Sequence, residues 1–262
     1  MSKWIVLCLC MWTQSLALAK VVSVEFKEKG FLFRDAPTLN FLWPAKQAKA
    51  TLIFIPGGEG RLGITLDRKN LGGFYGSTLK PLSDPTLSRG ELNVVVFDSP
   101  IQLPGLDYPT SRQSTEHLLR IESVVRHFKD QFGLPIWIMG HSNGAVSITE
   151  FYKMLQKSKK EDLIEGAIYS SARMGSNFND KTRLPILFLG HEREQCPKSL
   201  PSSAKMVFEQ QQKTNPLKTE FILIKGGEAQ PQNPCSSGFH MFYGASEEAY
   251  TTIEKFVFGP RS

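Results

Sequence analysis

A chain of 262 residues that is 41% hydrophobic, 11% aromatic and 21% charged has the make-up of a folded globular protein, which excludes disordered and collagen-like chains. One large α/β domain accommodates that length. Lys and Arg outnumber Asp and Glu by 31 to 25, a net charge of +6, but the excess is spread along the chain, which argues against a dedicated nucleic-acid surface.

Residues 1–19 read as a secretory signal: Lys3 supplies the positive start, Trp4 to Trp12 a short apolar stretch, and Ala17-Leu18-Ala19 an A-x-A cleavage site before Lys20. The apolar run breaks at Thr13, Gln14 and Ser15, short of the ~20 residues a membrane span requires, so no stable membrane anchor is expected. Cys8 and Cys10 sit inside that run and leave with it. The expectation is export across the inner membrane to the periplasm or the medium, with residues 20–262 forming a single domain. Cys196 and Cys235 then remain, and in an oxidising compartment a remaining pair is expected to form a disulfide.

Beyond Lys20 the chain alternates short β-rich runs with helical patterns, the signature of a mostly parallel sheet. Val21 to Phe26 alternates apolar and polar residues, and Lys29-Gly30 turns it toward Phe31 to Trp43, predicting an antiparallel N-terminal hairpin. Ala50–Ile55, Leu92–Phe97, Pro135–Met139, Gly166–Ser170, Leu184–Leu189 and Phe221–Ile224 are near-continuous apolar runs, as expected where helices cover both faces of a sheet. Between them, Leu118, Ile121, Val125, Phe128 and Phe132 recur at helical spacing over Thr115–Phe132, ended by Gly133 and Pro135. Ala145, Ile148, Tyr152 and Leu155 mark a second helix, with further helices at Ser203–Lys213 and Ala245–Phe258.

The chemistry lies where one strand meets one helix. Gly140-His141-Ser142-Asn143-Gly144 is a G-x-S-x-G pentapeptide between the strand ending at Met139 and the helix opening at Ala145. A turn this sharp strains the serine backbone, so the positions two before and two after must be small, and Gly140 and Gly144 are. It sets the Ser142 hydroxyl at a helix N-terminus, where free N–H groups favour negative charge.

With its antiparallel start, parallel sheet and serine elbow after the fifth strand, the chain resembles the α/β-hydrolase superfamily over most of its length. The resemblance implies an eight-stranded, mostly parallel sheet and a triad in the order nucleophile, acid, histidine, the acid after strand seven and the histidine after strand eight. His240, in Gly238-Phe239-His240-Met241-Phe242, is the histidine available in that order. Glu194 is the acid expected from the superfamily's spacing beyond Gly190, with Glu192 as the alternative and Arg193 available to pair with either. For the oxyanion hole the resemblance implies the Asn143 N–H and an N–H from Pro56-Gly57-Gly58-Glu59-Gly60, with Gly58 expected and Gly57 or Glu59 as alternatives. Beyond what the resemblance implies, a disulfide between Cys196 and Cys235 would tie the acid loop to the histidine loop.

His117 and His127 are expected at the surface or rim of the long helix, and His191 either behind the triad or exposed. No H-E-x-x-H or paired Cys/His spacing occurs, so neither metal nor other cofactor is expected. Only Ala172–Arg183 separate strands six and seven, too few for a large cap domain. The segment Arg61–Gly90 is expected to shape the pocket rim, with Leu71, Phe74 and Tyr75 as acyl-site walls or as ordinary packing. The implied activity is serine hydrolysis of a carboxylic ester, on a small-molecule or envelope-associated acyl substrate. Peptidase, thioesterase and polysaccharide-ester hydrolase remain open on the same residues, as does a non-catalytic envelope binding protein. Oligomeric state is left open.

Overall fold

Successive residues of a strand point to opposite faces, so a strand apolar at every position must be covered on both sides. In a computed structural model, which describes residues 18–32, 35–103, 107–230 and 232–260, this is how the chain folds. The elements run β1 (Lys20–Val24), β2 (Thr38–Trp43), β3 (Ala50–Ile55), β4 (Leu92–Phe97), α1 (Pro109–Arg112), α2 (Thr115–Phe132), β5 (Ile136–His141), α3 (Gly144–Ser158), β6 (Gly166–Ser170), β7 (Ile186–His191), α4 (Pro201–Thr214), β8 (Thr219–Ile224) and α5 (Ser246–Phe258). Ile53, Ile55, Ile136 and Ile138 pack with α2, α3 and α4 on one face. Leu52, Phe54, Trp137 and Met139 pack with α5 and a stretch of π and 3-10 turns over Tyr75–Ser83 on the other.

The eight strands form one sheet in the order β1-β2-β4-β3-β5-β6-β7-β8. β1 and β2 pair antiparallel, with Lys20 opposite Leu42 and Val24 opposite Thr38, and β2 is antiparallel to β4. Every pairing from β4 to β8 is parallel. The chain winds outward from β3 to β4, then returns past β3 to β5. That reversal opens a crevice at the carboxyl ends of β3 and β5, the position where open α/β sheets bind ligands. No helix or strand is inserted between β6 and β7, so no cap domain covers this edge among the described residues.

Several boundaries differ from expectation, and prolines explain most of them. β2 begins at Thr38, not Phe31, because Pro37 has no N–H to donate; Lys29-Gly30 does turn the chain, but within a longer connection to β1. Pro135 and Pro185 likewise precede β5 and β7, which start one and two residues later than expected, at Ile136 and Ile186, and run on to His141 and His191. β8 begins at Thr219 because a half-exposed edge strand carries polar residues. Helix α2 closes as predicted: Gly133 takes φ +63° and its N–H bonds the Lys129 carbonyl at 2.8 Å. Residues 1–17 of the expected signal lie outside the described residues. No described helix is long and apolar enough to cross a membrane.

Candidate active site

At the end of β5 the backbone turns through Ser142, a non-glycine residue at φ +54°. The turn is pinned on both sides: the Ser142 N–H donates to the Ser170 carbonyl at 2.9 Å, and the Arg173 N–H donates to the Ser142 carbonyl at 3.1 Å. The flanking glycines are forced by contact. A Cβ on Gly144 would stand 2.2 Å from the Ile55 carbonyl oxygen, and one on Gly140 2.5 Å from the Gly144 oxygen. Ser142 is half-buried and sits directly before α3, whose first turn carries no side-chain cap. Its hydroxyl therefore stands in the positive field of a helix N-terminus.

His240 lies in a 3-10 turn, Gly238–Met241, and is fully buried. Its Nδ1 is 2.9 Å from Glu194 Oε2, and the Glu194 side chain is only 1% exposed. The other carboxylate oxygen accepts the Cys196 N–H at 2.8 Å. Glu192 is exposed on the same loop, so the carboxylate that reaches His240 is Glu194. Arg193 pairs with neither acid. It donates to the Gly226 carbonyl at 2.7 Å and lies 4.4 Å over the Phe239 ring. Cys196 and Cys235 form a disulfide, which joins the loop bearing Glu194 to the loop bearing His240.

His240 Nε2 is buried and makes no hydrogen bond, the Ser142 hydroxyl included. A buried ring nitrogen without a partner is costly in a resting structure and is expected where a proton is to be received. The His141 ring lies 4.9 Å from that of His240 and is itself held, Nδ1 3.0 Å from Ser170 Oγ and Nε2 3.2 Å from Met241 Sδ. Burial, with the neighbouring His240 adding to it, pushes the His141 pKa well below the ordinary value, so His141 is neutral.

The loop after β3 approaches Ser142 at Gly57: a Cβ there would stand 2.9 Å from Ser142 Cβ and 3.5 Å from its Oγ. Gly58 takes φ +52°, a conformation that favours glycine. Gly58 and Glu59 are both exposed, whereas Asn143 is buried, and its side-chain amide donates to the Gly58 carbonyl at 3.2 Å. Elbow and glycine loop are thus bonded to one another.

One histidine is placed differently from the sequence expectation, and another takes the first of the two places expected of it. His117, expected at the surface or rim, is buried, with Nε2 2.8 Å from Ser147 Oγ on α3. His191 is buried, not exposed: Nδ1 accepts the Arg193 N–H at 3.0 Å and Nε2 donates to the Gly226 carbonyl at 3.0 Å. It stacks on Phe239 at 4.5 Å and so braces the turn carrying His240. Leu71 and Phe74 are core residues, the Phe74 ring lying tilted 4.9 Å from that of His141, and both also line a groove of about 690 Å³ beside the histidine loop. Tyr75 is half-buried against Phe54. Among the described residues no cluster of His, Cys, Asp and Glu could hold a metal ion. Arg112 also reaches the glycine loop, donating to the carbonyls of Pro56, Gly57 and Gly58, and nothing in its sequence neighbourhood signals that contact.

No protein-family model matches the sequence, and no curated protein matches it. Solved structures do match in fold. A lidless α/β serine hydrolase from Xanthomonas campestris aligns over 92% of this chain and 94% of its own, with TM-score 0.59 at 13% identity. Dienelactone hydrolase from Anabaena variabilis aligns over 92% and 97%, with TM-score 0.58 at 12% identity. A carboxylesterase from Bacillus subtilis aligns over 95% and 94%, with TM-score 0.55 at 12% identity. The chain has the α/β-hydrolase fold.

Proposed function

We propose that the protein is a serine hydrolase that cleaves carboxylic esters through an acyl-enzyme. The observation that carries this reading is the buried Glu194–His240 pair at 2.9 Å, whose free ring nitrogen belongs to a turn packed against the Ser142 elbow. Glu194 accepts from Nδ1–H, which leaves Nε2 as the base. That nitrogen takes the proton from Ser142 as Oγ attacks the acyl carbon, and returns it to the departing alkoxide. Water then repeats the sequence on the acyl-enzyme. The Asn143 N–H and one N–H of the glycine loop, Gly58 with Gly57 and Glu59 beside it, hold the oxyanion.

The ester preference rests on the uncapped edge of the sheet and the modest apolar groove beside it. Among proteins of similar fold, the Bacillus carboxylesterase and the lidless serine hydrolase support it. The substrate is a small-molecule or envelope-associated acyl compound, and the Cys196–Cys235 disulfide supports export to an oxidising compartment behind the residue 1–19 signal. The test is labelling of residues 20–262 with a fluorophosphonate, followed by rates on esters, thioesters and amides of matched acyl groups. Labelling at Ser142 that is lost in Ser142→Ala, with esters turned over fastest, is the expected result. An unlabelled, folded wild type overturns the reading in favour of a binding role, and faster thioester or amide turnover overturns the ester assignment.

A further inference from the structure

Three consecutive carbonyls of the glycine loop converge on one buried side chain. Arg112, at the end of α1, is fully buried; its Nη1 donates to the Pro56 carbonyl at 2.9 Å, and its Nη2 donates to those of Gly57 at 3.1 Å and Gly58 at 2.9 Å. Nη1 also donates to Ser147 Oγ at 3.2 Å, on the helix that begins at the elbow. Ser147 is held in turn by His117 Nε2 at 2.8 Å. In an extended chain successive carbonyls alternate in direction, so this convergence needs the left-handed turn that Gly58 makes at φ +52°.

The peptide plane gives the contact its consequence. In a trans peptide the carbonyl of one residue and the N–H of the next point in opposite directions. Fixing the carbonyls of Pro56, Gly57 and Gly58 toward Arg112 therefore fixes the N–H groups of Gly57, Gly58 and Glu59 away from it. Those are the three groups from which the loop's oxyanion donor comes. A loop this rich in glycine has many peptide orientations open to it, and a flipped plane turns a donor into a carbonyl. Five N–H groups in a rigid planar fork hold several oxygens in one fixed geometry, which the three freely rotating donors of an ammonium do not.

We propose that Arg112 is the positioning residue that sets the oxyanion hole, locking the peptide planes of the glycine loop and tying them to the elbow helix through Ser147. This rests on the serine-hydrolase reading of the site. Burying a guanidinium without a function at stake is costly: desolvation lowers its pKa to about 9, opposed by Asp107 and Tyr75. The cation stays charged at neutral pH and holds the loop with charge-assisted bonds.

The test compares Arg112→Lys and Arg112→Ala with wild type on a chromogenic ester, with circular dichroism establishing that each is folded. Fluorophosphonate labelling of the wild type at Ser142 is measured alongside. Loss of preorganised donors slows the chemical step, so kcat is expected to fall on the order of 10²-fold in both variants. KM should shift by less than about threefold, because the ground-state carbonyl gains little from the hole. Millimolar guanidinium chloride is expected to restore part of kcat in Arg112→Ala and none in Arg112→Lys, where the cavity is filled. Full kcat in either variant, a loss carried by KM, or a slow Arg112→Ala that guanidinium leaves slow overturns the proposal. If Arg112→Ala does not fold, the kcat and KM split in Arg112→Lys decides by itself. A wild type that does not label overturns the serine-hydrolase reading instead, and so is told apart from a failure at Arg112.

Discussion

Ser142 holds a left-handed backbone that only its surroundings enforce, and the two glycines beside it are part of that enforcement. Gly144→Ala would drive a methyl into the Ile55 carbonyl, where backbone cannot yield without disturbing β3. A loss of about 2 kcal/mol or more is expected, read as a lower urea midpoint with unchanged m-value. The two carboxylates of the acid loop divide as sharply. Glu194→Gln leaves the His240 tautomer unsupported and is expected to lower kcat by roughly 10² to 10⁴, whereas Glu192→Gln changes it by less than about twofold. Steady-state rates on one ester at neutral pH decide both. The turn at Ser142 was legible in the glycines around it, and the meeting of Glu194 with His240 in the strand–loop order of the chain. Arg112 was not legible, since the glycine loop meets it with three backbone carbonyls and a carbonyl leaves no trace in the sequence. His117 was misplaced for a related reason: its partner Ser147 lies on another helix, and a histidine on a helical pattern reads as surface until the neighbouring helix is known.

The acid loop and the histidine loop are short connections after β7 and β8, and loops are the mobile part of a scaffold. Here three ties oppose that mobility: the Cys196–Cys235 disulfide, the Cys196 N–H on Glu194, and the stack of Arg193, Phe239 and His191 beneath the histidine turn. Because the proposed mechanism tolerates little movement of His240 relative to Glu194, activity should fail before the fold does. A Cys196→Ala/Cys235→Ala variant is expected to lose on the order of 3 to 4 kcal/mol, the chain-entropy value for a loop of this span. At a temperature where it is still fully folded by circular dichroism, its kcat should already be several-fold lower; full kcat there would mean the disulfide serves stability alone. The strands and the long helices were legible, β3, β4, β6 and α2 to the residue, whereas α1 and the ends of β1, β2, β5, β7 and β8 were not. Interior strands announce themselves by unbroken hydrophobicity, but where they begin is decided by hydrogen-bonding capacity, as Pro37, Pro135 and Pro185 illustrate. The π and 3-10 turns over Tyr75–Ser83 were missed because tight turns lack the 3.6-residue repeat that marks an α-helix.

The sheet opens its crevice through a single reversal of winding at β3 and β5, and the same fold buries ionisable rings. Burial pushes His117 and His141 well below the ordinary histidine pKa of 6.5, with Arg112 and Arg120 adding to it for His117 and His240 for His141; His191 is lowered as well, burial again coming first. A histidine depressed in the folded state takes up its proton more readily in the unfolded chain, where its pKa returns to about 6.5. Below that pH the unfolded state therefore binds more protons, and stability falls as pH falls; above it both states carry neutral rings and the contribution is complete. The expected profile is flat from pH 8 to about 7, then declines through pH 6 to 5 by up to about 1.4 kcal/mol per pH unit for each fully depressed ring. Urea midpoints across that range measure it, and His117→Gln should make the acid limb shallower by about one ring's share. Were the His117→Gln limb as steep as that of wild type, the buried ring would be taking its proton without unfolding, and the network joining α2 and α3 through Ser147 would open locally in acid instead of setting the stability of the whole domain.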